Sequence, residues 1–136
     1  MRKEKSCGVI VYKYMENDLY ILLIKHNVGH WSYPKGHVED GETEIETALR
    51  ETKEETNIDV MIDSNFRVVT TYKTNYNTIK DVVYFAGSPV NFDIIPQEKE
   101  VDEIRWVKYE NCKNIITYEN DYKLLLKLKE YLDGDK

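Results

Sequence analysis

A chain of 136 residues, 41% of them hydrophobic, is long enough for one globular domain that buries about two-thirds of its unfolded surface. A formal charge of −6 and a pI near 5.1 argue against broad electrostatic binding to nucleic acid, which needs a basic face, but leave room for a small anionic partner. The start, Met1-Arg2-Lys3-Glu4-Lys5, lacks the apolar core of a signal peptide, and the longest aliphatic run, Ile21 to Ile24, is too short to cross a bilayer, so the expectation is a cytoplasmic protein without a membrane partner. Cys7 and Cys112 lie far apart and outside any Cys-x-x-Cys or Cys-His cluster, which points to packing rather than zinc or a disulfide framework.

In chain order, Ser6 to Tyr14 and Leu19 to His26 are apolar, β-prone runs, and Met15-Glu16-Asn17-Asp18 between them reads as a hairpin turn. Asn27 to Lys35, with Gly29 and Pro34, reads as a loop, and Asp40-Gly41 as a turn. Thr43 followed by Glu46 forms a capping-box pattern that opens a helix to about Thr56, with Ile45, Ala48, Leu49 and Thr52 on its expected buried face. Strands are predicted at Phe66 to Tyr72, Ile79 to Ala86 and Ile104 to Tyr109. Apolar residues at Tyr118, Tyr122, Leu125, Leu128 and Leu132 predict a closing amphipathic helix. Strands interspersed with two substantial helices suggest a mixed sheet covered on both faces, and no repeat or linker interrupts the chain.

The most specific signal runs from the loop before the first helix into the helix itself. Gly36, Glu42, Arg50, Glu51, Glu54 and Glu55 obey the spacing Gly-x5-Glu-x7-Arg-Glu-x2-Glu-Glu. Six fixed identities at set intervals arise by chance roughly once in 10,000 chains of this size, or more rarely. Glu51, Glu54 and Glu55 fall on one arc of about 100°, and like charges three and four apart weaken a helix. A hard cation reverses that cost, because magnesium takes carboxylate and phosphate oxygens.

The stretch Gly36 to Ile58 resembles the Nudix box, the signature of hydrolases that cleave a nucleoside diphosphate linked to another group. Thr52 replaces the usual aliphatic residue and Asn57 the usual glycine; Asn tolerates the left-handed conformation that ends a helix, and Thr packs through its methyl group. His30-Trp31-Ser32-Tyr33-Pro34-Lys35-Gly36-His37-Val38-Glu39, Ala48 to Thr52, Lys80 to Phe85, and Glu100 with Arg105-Trp106 are similar to the asymmetric diadenosine tetraphosphate hydrolases. The resemblance implies an α/β fold of the Nudix type: an α/β/α sandwich with a mixed β-sheet and a loop-helix-loop catalytic motif, the chain forming a single domain.

It also implies hydrolysis of diadenosine tetraphosphate to ATP and AMP by water attack on phosphorus, with Mg²⁺, or Mn²⁺, as cofactor. Glu51 and Glu55 become the leading metal ligands, Glu54 assists, the Gly36 carbonyl and Glu100 complete the set, and Arg50 orients a glutamate. Arg50 has Glu46 and Glu54 at helical spacing, and either Glu55 or Glu100 is available as general base. For the substrate, Lys35 and Lys80 suit phosphates and His30 a phosphate oxygen, while His26 and His37 serve loop structure and Trp31 packs the loop. Tyr76, Tyr84 and Tyr118 are candidates for base stacking. A nucleoside triphosphate, a nucleotide sugar or an RNA 5′ end are alternative substrates, and a nucleotide sensor without catalysis is the alternative class.

Overall fold

Cys7, Val9 and Val11 belong to one apolar cluster and Ile10 to another, and the same alternation recurs in Ile21–Leu23 and Val82–Ala86. Strands with two apolar faces need a cover on each side. The computed structural model, which describes residues 2–75, 77–91, 93–95, 97 and 100–134, meets that demand with a sheet between helices. Its elements are β1 (Arg2–Met15), β2 (Asp18–His26), β3 (Trp31–Ser32), β4 (Lys35–His37), α1 (Glu44–Thr56), β5 (Val60–Asn75), β6 (Thr78–Pro89), β7 (Val101–Lys108), α2 (Tyr109–Cys112) and α3 (Glu119–Gly134).

The strands join in the order β3-β2-β1-β6-β5, with β4 added to β1 and β7 to β2. β1 and β6 run parallel and the other pairs antiparallel, so the sheet is mixed as the sequence suggests. Ala48 of α1 packs with Cys7, Val9, Val11, Leu22, Val83 and Phe85 on one face. Leu124, Leu125 and Leu128 of α3 pack with Ile10, Leu23, Tyr33, Val82 and Tyr84 on the other. The result is the expected α/β/α sandwich. Among the described residues no helix is long and apolar enough to cross a membrane.

β1 divides its length between neighbours, and that division opens the site. It pairs with β2 only over Tyr12–Met15, while Ser6, Cys7 and Gly8 pair with His37, Gly36 and Lys35 of β4. Gly8 permits the approach: a Cβ there would overlap the Pro34 carbonyl and Lys35. The hairpin turn narrows to Glu16 and Asn17, with φ of 50° and 73°, the left-handed pair that a two-residue hairpin requires.

Three expectations need correction. The Asn27 to Lys35 loop carries β3 and the first residue of β4, pieces too short to show a period. β5 begins at Val60 rather than Phe66, because its register breaks between Asp63 and Arg67; Asp63 accepts hydrogen bonds from the Asn65 amide at 3.0 Å and the Tyr131 hydroxyl at 2.6 Å, and this polar segment masked the strand. The third concerns α1. Its capping box forms, with Thr43 and Glu46 bonded reciprocally, and Asn57 closes it at φ 67°. Yet Ile45 and Leu49 are 36% and 37% exposed, and the buried side is Thr47, Ala48, Thr52, Glu55 and Thr56. Small side chains let the helix approach β1 closely, which carries Glu55 inward.

Thr52 is fully buried and, among the described residues, its hydroxyl has no hydrogen-bond partner. Thr52→Val keeps the shape and removes an unpaired polar group, so it should stabilise the fold by about 1 kcal/mol in chemical denaturation. A clear loss of stability would show that the hydroxyl is satisfied.

Candidate active site

Gly36 sets how closely the α1 carboxylates can gather. The Glu51 carboxylate lies against its backbone, and a Cβ at this position would overlap it. Gly36 is held there by its pairing with Cys7. One residue earlier, the Lys35 amide donates to Glu55 Oε1 at 3.1 Å, so β4 touches two of the helix glutamates through main chain alone. The third comes from the opposite side of the opening. Glu100 precedes β7, and its carbonyl accepts from the Asn27 amide at 2.9 Å at the end of β2. Carboxylate oxygens of Glu51, Glu55 and Glu100 thereby lie within 4.8 Å of one another.

Glu54 stands outside that group, its side chain 48% exposed, and accepts from Arg50 at 3.2 Å. Arg50 is the hub of the helix side. It donates twice to Glu42, at 2.6 and 3.0 Å, once to Glu51 at 2.8 Å, and once to the His37 carbonyl at 3.0 Å. Of the two helix partners open to it in the sequence, Glu54 is engaged, whereas Glu46 serves the cap. Glu42, the dominant partner, was spaced too far along the chain for helix-face reasoning. Its carboxyl is pulled down to about 2 by the Arg50 hydrogen bonds first, then by the Glu39 amide and Thr47 hydroxyl.

Burial and like charge act in the opposite sense on the inner carboxylates. Glu55 is 2% exposed, and burial, with Glu51 and Glu100 adding negative charge, pushes its carboxyl up to about 8 against the Lys35 amide and charge. Glu51 is raised by burial, opposed by Arg50. An oxygen-only set of crowded, partly desolvated carboxylates has the donor chemistry of a hard divalent cation site.

A cavity of about 650 Å³ lies on the α3 face of the sheet and shares Lys35 with the carboxylate group. Lys80, His30 and Tyr118 also line it. Burial and the charge of Lys35 lower the Lys80 ammonium, which marks two lysines close together in one partly dry recess. The His30 ring stacks on His26 at 4.4 Å and meets Tyr118 at 5.5 Å, and burial keeps both histidines down, His26 to about 3. His37 is a surface residue 3.6 Å from Glu4, and Trp31 packs under Arg105 at 4.9 Å.

Tyr84 is a correction. It is 1% exposed and packed edge-on to Tyr33 at 5.1 Å, so it floors the cavity without a free face for stacking. Its place in the buried row Val82–Ala86 was the signal against it. Tyr118, 56% exposed, does present a face. Tyr76 lies outside the described residues. Tyr72, 41% exposed and paired with Lys80 across β5 and β6, was missed, although its two-residue spacing from Thr70 and Val68 places it on the cavity side. Asp121 also lines the cavity and was not foreseen.

The sequence signature of the NUDIX domain matches residues 4–128. The chain belongs to the Nudix hydrolase family. It is similar to the asymmetrical bis(5′-nucleosyl)-tetraphosphatase of Caenorhabditis elegans, 30% identical over 96% of this chain and 97% of that one. The mouse enzyme of the same name is 30% identical over 79% of this chain and 81% of its own length. Among solved structures, a C. elegans Ap4A hydrolase binary complex superposes with a TM-score of 0.88, covering 96% of this chain and 98% of the other at 30% identity. The box glutamates thus sit in a Nudix framework.

Two measurements probe this geometry. Because the folded Glu55 carboxyl is raised to about 8 from an ordinary value of 4.5, its contribution to stability is complete below 4.5 and lost as pH climbs through 8. Metal-free wild type should therefore lose thermal stability relative to Glu55→Gln between pH 4.5 and 8, and divalent cation should remove the difference; parallel pH curves would contradict the burial argument. Gly36→Ala should weaken Mn²⁺ binding by about tenfold or more with the fold kept, since Glu51 must retreat. Unchanged affinity would show that the close approach is dispensable.

Proposed function

We propose that this Nudix hydrolase cleaves diadenosine tetraphosphate to ATP and AMP, with water attacking a phosphorus and with Mg²⁺, or Mn²⁺, held by the carboxylate group. The observation that carries the reading is the convergence of Glu51, Glu55 and Glu100 beside a cavity lined by Lys35, Lys73 and Lys80 and by exposed aromatic rings. Similarity to the tetraphosphatases over nearly the whole chain supports the substrate.

Glu51, Glu55 and Glu100 would hold the cation, with the Gly36 carbonyl as a further ligand; the bound ion supplies charge neutralisation for the phosphates and acidifies water. Arg50 keeps the Glu51 carboxylate turned toward the group, and Glu54 anchors Arg50 from the solvent side. Phosphoryl transfer needs positioning and charge neutralisation more than covalent chemistry, and the side chains divide that work. Lys35 and Lys80 bind phosphate oxygens as point charges. His30, kept neutral by burial and by Lys35, donates a hydrogen bond to phosphate without adding a titrating charge. Tyr118 and Tyr72 offer faces to a base. Glu55 or Glu100 takes the proton from water.

With Mg²⁺ and a panel of dinucleoside polyphosphates, nucleoside triphosphates and nucleotide sugars, chromatography should find ATP plus AMP from diadenosine tetraphosphate as the preferred reaction. Faster turnover of another panel member would replace this substrate. Glu55→Gln should lower kcat by about 100-fold or more with an unchanged circular dichroism spectrum. Retained activity would remove Glu55 from the chemistry.

A further inference from the structure

Asp121 is an anion in a cavity whose other charges suit phosphate. It stands in the first turn of α3 and lines the recess with Lys35 and Lys80. Its position is built rather than incidental. Oδ2 accepts from the Ser32 hydroxyl at 2.9 Å, and its carbonyl accepts from the Tyr33 hydroxyl at 2.7 Å. The neighbouring Thr117 hydroxyl accepts from the Trp31 amide at 2.7 Å, so the start of α3 is pinned to β3. Oδ1 takes part in none of the hydrogen bonds seen among the described residues, and no lysine or arginine among them pairs with this carboxylate within 4.0 Å. Burial raises the carboxyl, and Lys35 opposes that rise, so the group stays within electrical reach of the phosphate-binding end.

A half-desolvated carboxylate repels phosphate, so a polyphosphate cannot lie against Oδ1. The uncharged part of a nucleotide, in contrast, carries hydrogen-bond donors: the exocyclic amine of the base and the hydroxyls of ribose. Tyr72 lines the same cavity, and burial first, then the charge of Asp121, raises its phenol. We infer that the free oxygen of Asp121 accepts a hydrogen bond from the nucleoside and makes it a specificity-determining residue, selecting the nucleoside end of the substrate while excluding phosphate from that end. This rests on the cavity being the nucleotide site of the proposed reaction, and it adds a direction to binding that the lysines alone do not provide.

The test separates a nucleoside contact from a merely structural one. Binding by wild type and Asp121→Asn is measured by isothermal titration with AMP, IMP and 2′,3′-dideoxy-AMP, none of which holds a phosphoric anhydride, and with methylenediphosphonate as a nucleoside-free anion. The expected result is an AMP affinity reduced about 10- to 100-fold, with methylenediphosphonate bound equally or more tightly. IMP lacks the amine and dideoxy-AMP the hydroxyls, so the ligand on which the substitution has no effect identifies the donor. Equal losses for all four ligands, as a collapsed cavity would give, overturn the inference, and so does an unchanged AMP affinity. Ser32→Ala, which keeps the carboxylate and removes the hydroxyl bonded to Oδ2 and to Tyr84, should cost AMP less affinity than Asp121→Asn does; a loss as large as that of Asp121→Asn likewise overturns it. Failure of wild type to cleave diadenosine tetraphosphate would refute the proposed reaction and leave the contrast between AMP and methylenediphosphonate intact.

Discussion

Three carboxylates crowded at the edge of a hydrophobic core are the constraint around which this molecule is arranged. Glu51, Glu55 and Glu100 repel one another, and Glu55 is nearly excluded from water. Without opposing charge such a group holds protons or spreads apart. The fold opposes both outcomes with fixed parts: the Lys35 amide on Glu55, the bare backbone of Gly36 against Glu51, and Arg50 bracing Glu51 from behind. Arg50 is in turn held by Glu42, whose two hydrogen bonds tie the helix to the turn before it.

The sheet supplies the opening in which this group meets a ligand. β1 passes from β6 to β2 along its length, and β4 fills the gap beside Ser6–Gly8, so β4, the end of β2 and the start of β7 converge. Lys35 joins the two halves of the site, its amide on the carboxylates and its side chain on the cavity. The cavity face is continuous with the α3 core, which explains how Tyr84 and Tyr33 brace its floor while Tyr72, Tyr118 and His30 stay accessible.

Much of this was legible in the residues. The capping box, the left-handed Asn57 and the closing amphipathic helix depend on local rules that short windows carry. Strands interspersed with two substantial helices pointed to a mixed sheet covered on both faces. What escaped was set by tertiary contact. α1 turns its small polar residues inward because the carboxylates must reach β4, which hydrophobic periodicity alone opposes at Ile45 and Leu49. Tyr84 shares its face of β6 with Lys80, but it lies in the buried row Val82–Ala86 and packs edge-on to Tyr33, which leaves it no free face. Glu42 and Arg50 stand at a fixed interval in the box, but their contact, like the place of Asp121 in the cavity, depends on approaches between segments that helical spacing does not give.

The central claim, that the three carboxylates together grip a divalent ion, is tested most directly by anomalous diffraction from crystals soaked in Mn²⁺ with a non-hydrolysable diadenosine tetraphosphate analogue. An anomalous peak bonded to oxygens of Glu51, Glu55 and Glu100 and to a phosphate oxygen of the analogue, at roughly 2.0–2.2 Å, is the expected result. Those three side chains with no ion among them, while the analogue occupies the cavity, would contradict it.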